Sequence, residues 1–137
     1  MAETLNVRWG WLRVMYIYTI IGAGGFGLGM LVIPDIVQSA FGFPPQDPVV
    51  FGLVGSLYTT FGLLAIAGLK SPLRFVPVLL LQLCYKAIWV LAVALPLFLS
   101  GRFPLYVVLL LVIFATYIIG DLIAIPFSYT FSKPTEQ

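Results

Sequence analysis

The sequence predicts an all-α, polytopic membrane protein, folded as one domain over residues 1–137 into a compact antiparallel bundle of four transmembrane helices. Of the 137 residues, 61% are hydrophobic and only 9% are charged, whereas about a quarter of the residues in a soluble domain are charged. Apolar runs of about 20 residues recur, and each can cross about 30 Å of hydrocarbon as a helix. Most connections between the runs are short turns, which make consecutive helices antiparallel neighbours.

The first span is predicted over residues 14–33, after a short polar head that carries Arg8 and Arg13. Aromatic side chains close to cationic ones are typical of the headgroup region of a membrane. The head and the start of the span place four such side chains there: Trp9, Trp11, Tyr16 and Tyr18.

A glycine-rich stretch at residues 22–29 lies inside this span and formally matches the dinucleotide-binding pattern Gly-x-Gly-x-x-Gly. That site requires a preceding strand and a water-accessible turn, and neither fits a membrane span. Gly25 and Gly29 instead have the four-residue spacing that lets two membrane helices approach closely. This ridge is expected either inside the monomer or at a homodimer face.

A longer, proline-rich loop is predicted between the first two spans, from Asp35 to Pro48. Pro44, Pro45 and Pro48 are incompatible with a regular helix, and the apolar residues before them predict a short amphipathic turn on the membrane surface. The second span, residues 49–69, carries Gly52 and Gly55, which again start four-residue spacings of small side chains. The remaining spans are predicted over residues 75–99 and 105–127, each preceded by a tight turn.

The distribution of basic residues predicts the orientation of the bundle. The head, the turn between the second and third spans, and the tail hold five of them, and the opposite side holds only Arg102. Cytoplasmic loops carry the excess of lysine and arginine, so both termini are expected in the cytoplasm, with the bacterial inner membrane as the expected location. The five are Arg8, Arg13, Lys70, Arg74 and Lys133.

Lys86 lies in the middle of the third span, where a charged side chain costs about 2.5–3.5 kcal/mol or more. The only acid deep in another apolar run is Asp121. With the hairpin turn near Gly101, Asp121 lies level with about Gln82, and Lys86 lies about one turn higher, roughly 6–7 Å. The direction of the side chains and the length of the lysine stem can close that gap. We expect a polar stripe in the bundle, with candidate pocket residues Gln82, Tyr85, Lys86, Trp89, Tyr117 and Asp121, and Thr59 and Thr60 at similar depth.

Three interpretations of Lys86 and Asp121 are open at this stage. They form a charge pair that neutralises itself and fixes how the helices rotate. They form a polar pocket at mid-membrane that binds a molecule or moves a proton. Or they do not meet, with Lys86 reaching towards the interface and Asp121 serving a partner protein.

Several classes of function are disfavoured by composition. Histidine is absent, which removes the commonest metal ligand and the usual general base at neutral pH. The single cysteine, Cys84, cannot form an internal disulfide, and no serine, threonine or cysteine has an evident base to activate it. No basic tract indicates nucleic acid. We therefore predict no catalytic residues, no metal site and no cofactor other than a quinone or lipid.

Short motifs after the first span and within the second and third spans resemble the DoxX-like group of small four-helix membrane proteins. They are Pro34 followed by Phe41-Gly42-Phe43-Pro44, then Phe61-Gly62-Leu63-Leu64, and then Gln82, Tyr85-Lys86 and Trp89. The resemblance implies four helices in one bundle. Some members of that group are membrane subunits associated with quinone-linked sulfur or thiol oxidation.

Three functions are compatible with these features. The one narrowly favoured by sequence is a non-enzymatic membrane module in contact with membrane lipids, either an accessory subunit of a larger complex or a homo-oligomer such as a homodimer. The second is a binder or enzyme for an apolar small molecule, in which Lys86 and Asp121 act on the head group while Tyr85 and Trp89 hold the tail. The third is a small proton-coupled transporter with Asp121 as its proton site.

Overall fold

The computed structural model describes residues 6–133, and this part of the chain is all-α. The predicted all-α polytopic bundle is confirmed, because four helices are long and apolar enough to cross a membrane. They are α1 (Trp9–Val32), α3 (Pro48–Lys70), α4 (Val76–Leu99) and α5 (Leu105–Ala124). Two short helices lie outside the spans, α2 (Pro34–Phe41) and α6 (Phe127–Thr130).

Some helices begin or end at other residues than predicted, because capping residues and prolines determine these ends. The predicted surface turn is the helix α2, which starts on Pro34 and ends at Gly42, whose φ of +69° favours glycine. The prolines do exclude helix over residues 43–47. Asp47 then caps α3, because its Oδ1 accepts from the backbone amides of the next helical turn at 2.8 and 3.0 Å. α5 ends at Ala124 rather than at 127 because Pro126 disfavours a helical conformation in the residue before it.

The four long helices form a ring in the order α1, α3, α4, α5. α1 packs against α3 and α5, and α4 packs against the same two helices, so that α1 and α4 face each other across the centre. The closest approach is between α1 and α3, where Gly24 lies against Gly62 and Gly27 against Gly55. A Cβ atom on Gly62 would meet the Cα atom of Gly24 at 2.5 Å, so these helices touch backbone to backbone.

Two clusters of buried side chains hold the bundle together. The larger joins α1, α3, α4 and α5 near the chain termini and includes Leu12, Tyr16 and Leu79. Tyr16 is fully buried, and its hydroxyl donates to the carbonyl oxygen of Pro72 at 2.5 Å. Its side chain therefore packs in the core of the bundle, beside the basic turn between α3 and α4. The smaller cluster joins α1, α2 and α3 at the other end of the bundle and is centred on Met30, Val37 and Phe51.

Two of the long helices contain a π-helical turn. In α1 it covers Ile20–Gly24, and in α4 it covers Val90–Ala94. A π turn inside an α-helix is frequently found at a functional site. In the turn of α1, Ala23 is buried and Ile21 is exposed.

Candidate functional site

A line of hydrogen-bonded polar side chains crosses the centre of the bundle from α1 to α4 to α5. The side-chain amide of Gln82 donates to the hydroxyl oxygen of Thr19 at 3.2 Å and to Oδ2 of Asp121 at 3.3 Å. The Thr19 hydroxyl in turn donates to the carbonyl oxygen of Met15 at 2.7 Å. Asp121 is level with Gln82, as the register of the α4–α5 hairpin predicts. The participation of Thr19 was not predicted, because a threonine in a membrane helix usually bonds only its own backbone.

Asp121 is fully buried, with 0% of its surface exposed. Its second carboxyl oxygen, Oδ1, has no hydrogen-bond partner. Within residues 6–133 no lysine or arginine forms an ion pair with it, and the neutral amide of Gln82 is its only side-chain donor. A buried polar atom without a partner is uncommon in proteins and requires a physical explanation.

Lys86 is 1% exposed and lies in an aromatic environment. Its ammonium nitrogen donates to the hydroxyl of Tyr85 at 2.8 Å. The same nitrogen lies 4.3 Å from the centroid of the Tyr117 ring, 4.4 Å from that of Tyr85 and 5.2 Å from that of Phe114. These distances are within the range of cation–π attraction. Lys86 and Asp121 therefore have different partners in this structure, aromatic rings for the cation and an amide for the carboxyl group.

A cavity of about 270 Å³ lies beside Lys86, between the two buried clusters. Its walls are contributed by α1, α2, α3, α4 and α5, and they are apolar apart from the lysine and the tyrosine hydroxyl groups. Lys86 is the one charged side chain among the described residues that line it. The lining consists of Tyr18, Gly22, Ala23, Phe26, Phe41, Tyr58, Tyr85, Lys86, Leu110, Ile113, Phe114 and Tyr117.

A second cavity, of about 380 Å³, lies between α3 and α4 and reaches α5. It shares Tyr58, Tyr85, Leu110 and Phe114 with the first, so these side chains separate the two spaces. Trp89 lines only the second cavity, where its ring packs edge-on against Phe114 with centroids 5.0 Å apart. Trp89, which was predicted to hold the tail of a ligand, therefore does not line the cavity beside Lys86.

Tyr117 and Tyr18 close one wall of the first cavity. Their rings are stacked with centroids 4.0 Å apart and an angle of 3° between the planes. The Tyr117 hydroxyl donates to the carbonyl oxygen of Tyr18 at 2.9 Å, next to the π turn of α1. Gly22 leaves the space for that hydroxyl, because a Cβ atom at this position would overlap it.

The remaining predicted residues lie away from the first cavity. The hydroxyl groups of Thr59 and Thr60 each donate at 2.8 Å to a carbonyl oxygen of their own helix. Neither lines the cavity, and the α3 residue that does is their neighbour Tyr58. Sequence analysis missed Tyr58 and Phe114. A signal for Tyr58 was present, since a tyrosine hydroxyl deep in an apolar span requires a partner.

The four glycines predicted to pack helices divide into two groups. A Cβ atom on Gly55 would meet Met30, and one on Gly29 would meet Val37, so these two lie at helix contacts. A Cβ atom on Gly25 or Gly52 would meet nothing within 4 Å. The close approach of α1 to α3 uses Gly55 together with Gly24, Gly27 and Gly62, which are not among these four.

Comparison of the chain with protein-family models, with curated proteins and with solved structures gave no match. The resemblance to the DoxX-like group therefore stays a prediction from its motifs. Function is inferred below from the geometry of the cavity and its single charge.

Proposed function

We propose that this integral membrane protein is a non-enzymatic binding protein for an apolar small molecule of the quinone or lipid type. The observation that carries the proposal is the ammonium group of Lys86 in the wall of an otherwise apolar cavity. Ligand sites are mostly apolar, with a few polar groups that orient the ligand, and usually start at about 300 Å³. The cavity beside Lys86 is apolar with one charged side chain, and its volume of about 270 Å³ lies just below that size.

The hydrogen bonds of the Lys86 ammonium group support a ligand whose polar head group lies beside this lysine. An ammonium group has three hydrogens to donate, and within the described residues the Tyr85 hydroxyl is its one acceptor. The remaining hydrogens of the ammonium group therefore have no acceptor among the described residues, and the space beside them is otherwise lined by rings and aliphatic side chains.

The position of Asp121 favours binding over proton-coupled transport. Asp121 does not line the cavity, and its partner Gln82 does not line it either. A ligand beside Lys86 would therefore contact aromatic side chains and not the carboxyl group. The hypothesis of an accessory subunit or homo-oligomer is retained as an outcome of the experiment below.

Native mass spectrometry of the protein extracted gently from its own membrane tests the proposal. We expect each chain of 15.1 kDa to carry one small-molecule adduct. The variant Leu110→Trp fills the cavity and should lose the adduct, whereas Val112→Trp, on the exposed side of the same helix, should keep it. An adduct that survives in Leu110→Trp would place binding elsewhere. A stoichiometric partner protein without any adduct would support the accessory subunit instead.

We also propose that both termini lie in the cytoplasm of a bacterial cell, with the bundle in the inner membrane. Arg8 donates to the carbonyl oxygen of Ile123 at 3.3 Å, and Tyr16 donates to that of Pro72. These bonds support a common face for the start of α1, the end of α5 and the basic turn between α3 and α4. Terminal fusions to a reporter that is active only in the cytoplasm should be active, and the same reporter inserted at Gly101 should be inactive.

A further inference from the structure

We infer that a cavity at the end of the bundle near the chain termini binds the phosphate group of an anionic phospholipid through Arg74 and Lys133. The cavity has a volume of about 480 Å³ and lies between the turn that joins α3 to α4 and the segment that contains α6. It is separate from the cavity beside Lys86, since the two share no lining residue. The inference does not depend on the proposed function.

Two cations from distant parts of the sequence meet in the lining of this cavity. Arg74 comes from the turn before α4, Lys133 comes from the chain after α6, and both side chains are exposed. The lining contains no acidic side chain. Among the acids of residues 6–133, Asp35 and Asp47 lie near the start of α3, at the other end of the bundle, and Asp121 is buried at its centre. The cavity therefore attracts an anion.

A phosphate group matches the donors of this lining. The guanidinium of an arginine can give two parallel hydrogen bonds to phosphate oxygens, and the ammonium of a lysine adds a compact charge. The hydroxyl groups of Thr130 and Ser132 line the same cavity, but they donate to backbone carbonyl oxygens at 3.0 and 2.8 Å. Selection of the anion therefore depends on the charges of Arg74 and Lys133, which substitution can remove one at a time.

An apolar stripe leads from the cavity along the outside of α4. Val76 and Pro77, at the start of that span, belong to the cavity lining. Pro77 is followed on the same face of the helix by Leu81, Cys84 and Ile88, and all four are exposed. An acyl chain can lie along this stripe while its phosphate stays at the end of the span. The stripe therefore favours a lipid over a soluble phosphate compound.

The net charge of the head group decides which phospholipid binds. In phosphatidylcholine the phosphate is followed by a quaternary ammonium group, which would bring a third positive charge close to Arg74 and Lys133. Phosphatidylglycerol has the same phosphate without that cation. Each lysine or arginine near a membrane surface increases the affinity for anionic lipid about fivefold, so two of them give a preference of about twentyfold.

Native mass spectrometry of the purified, delipidated protein in detergent micelles tests the inference. The protein is titrated with phosphatidylglycerol and with phosphatidylcholine that carry the same two acyl chains, and the dissociation constant of the first bound lipid is measured. We expect phosphatidylglycerol to bind about twentyfold more tightly. Arg74→Gln and Lys133→Gln should each reduce that preference about fivefold, and the double variant should bind the two lipids equally. Both side chains are exposed, so the variants should keep the fold.

Lys70→Gln is the matched control, because Lys70 is exposed at the end of α3 beside the same turn and does not line the cavity. It should keep the full preference, and so should Leu110→Trp, which fills the cavity beside Lys86. Equal binding of the two lipids by the unchanged protein would overturn the inference. A loss in Lys70→Gln as large as that in Arg74→Gln would overturn it too, since it would indicate a general attraction to a basic surface. A loss in Leu110→Trp would place the lipid in the other cavity, and displacement of phosphatidylglycerol by an equal concentration of glycerol phosphate would show a site for a soluble anion.

Discussion

Replacing Gly22 by alanine tests how the wall of the cavity is built. Gly22 lies in the π turn of α1, and the hydroxyl group of Tyr117 occupies the space where a Cβ atom would be. That hydroxyl donates to the Tyr18 carbonyl at 2.9 Å, and the two tyrosine rings are stacked 4.0 Å apart. The methyl group of alanine must therefore displace Tyr117 or separate α1 from α5.

The expected loss of stability follows from three effects. Overpacking a filled interior costs about 1–3 kcal/mol. Losing the hydrogen bond of Tyr117 costs about 0.5–1.5 kcal/mol. Replacing a glycine within a helix by alanine increases the free energy of unfolding by roughly 0.5–1 kcal/mol. We expect the free energy of unfolding of Gly22→Ala to fall by about 2 kcal/mol.

The measurement is reversible unfolding in mixed micelles with increasing sodium dodecyl sulfate, followed by far-ultraviolet circular dichroism. Gly25→Ala is the matched control, since Gly25 is in the same helix and a Cβ atom there would meet nothing within 4 Å. Its stability should stay the same or rise by up to about 1 kcal/mol. Tyr117→Phe should cost about 1 kcal/mol alone, and combining it with Gly22→Ala should cost less than the sum of the two single changes.

Two results would contradict this account of the wall. If Gly22→Ala were as stable as Gly25→Ala, the Tyr117 hydroxyl would not occupy the space at Gly22. If the two changes Gly22→Ala and Tyr117→Phe were additive, the clash would not involve the hydroxyl.

Three further changes have definite expected outcomes. Lys86→Met should raise the free energy of unfolding by about 1 kcal/mol or more, because it replaces a buried cation that forms no direct ion pair; a lower stability in the same micelle titration would indicate that the attraction between Lys86 and Asp121 stabilises the bundle. Asp47→Ala should cost about 1 kcal/mol through loss of the cap of α3, whereas Asp35→Ala, an exposed acid, should change little. Tyr16→Phe should cost about 1 kcal/mol by removing the bond to the carbonyl of Pro72; unchanged stability would show that this bond contributes nothing.

The four spans could be predicted because each depends only on a continuous stretch of the sequence. Each is a run of apolar residues long enough to cross a membrane, and turns or prolines separate the runs. The ends of the spans were predicted less accurately. For example, α1 begins at Trp9 and not at residue 14. A helix can continue past the apolar run into polar residues, so hydropathy alone does not locate its start.

The residues of the site were only partly predictable. The register of one hairpin was enough to place Asp121 level with Gln82. The Lys86 side chain points towards aromatic rings of α5. The pattern of residues within one helix does not specify such contacts with another helix. Gly25 and Gly52 satisfied the spacing rule for helix packing, but the rotation of each helix about its own axis turns them outward. That rotation is set by the whole bundle.

The contact between α1 and α3 has a mechanical consequence. Since Gly24 meets Gly62 and Gly27 meets Gly55 with no side chain between them, this pair has no rotamers to change and no gap to close, and it should move as a rigid unit. Every long helix contributes aromatic rings to the cavity wall. Any expansion needed to admit a molecule would therefore come from movement of these rings or of α4 and α5, while the backbones of α1 and α3 keep their distance.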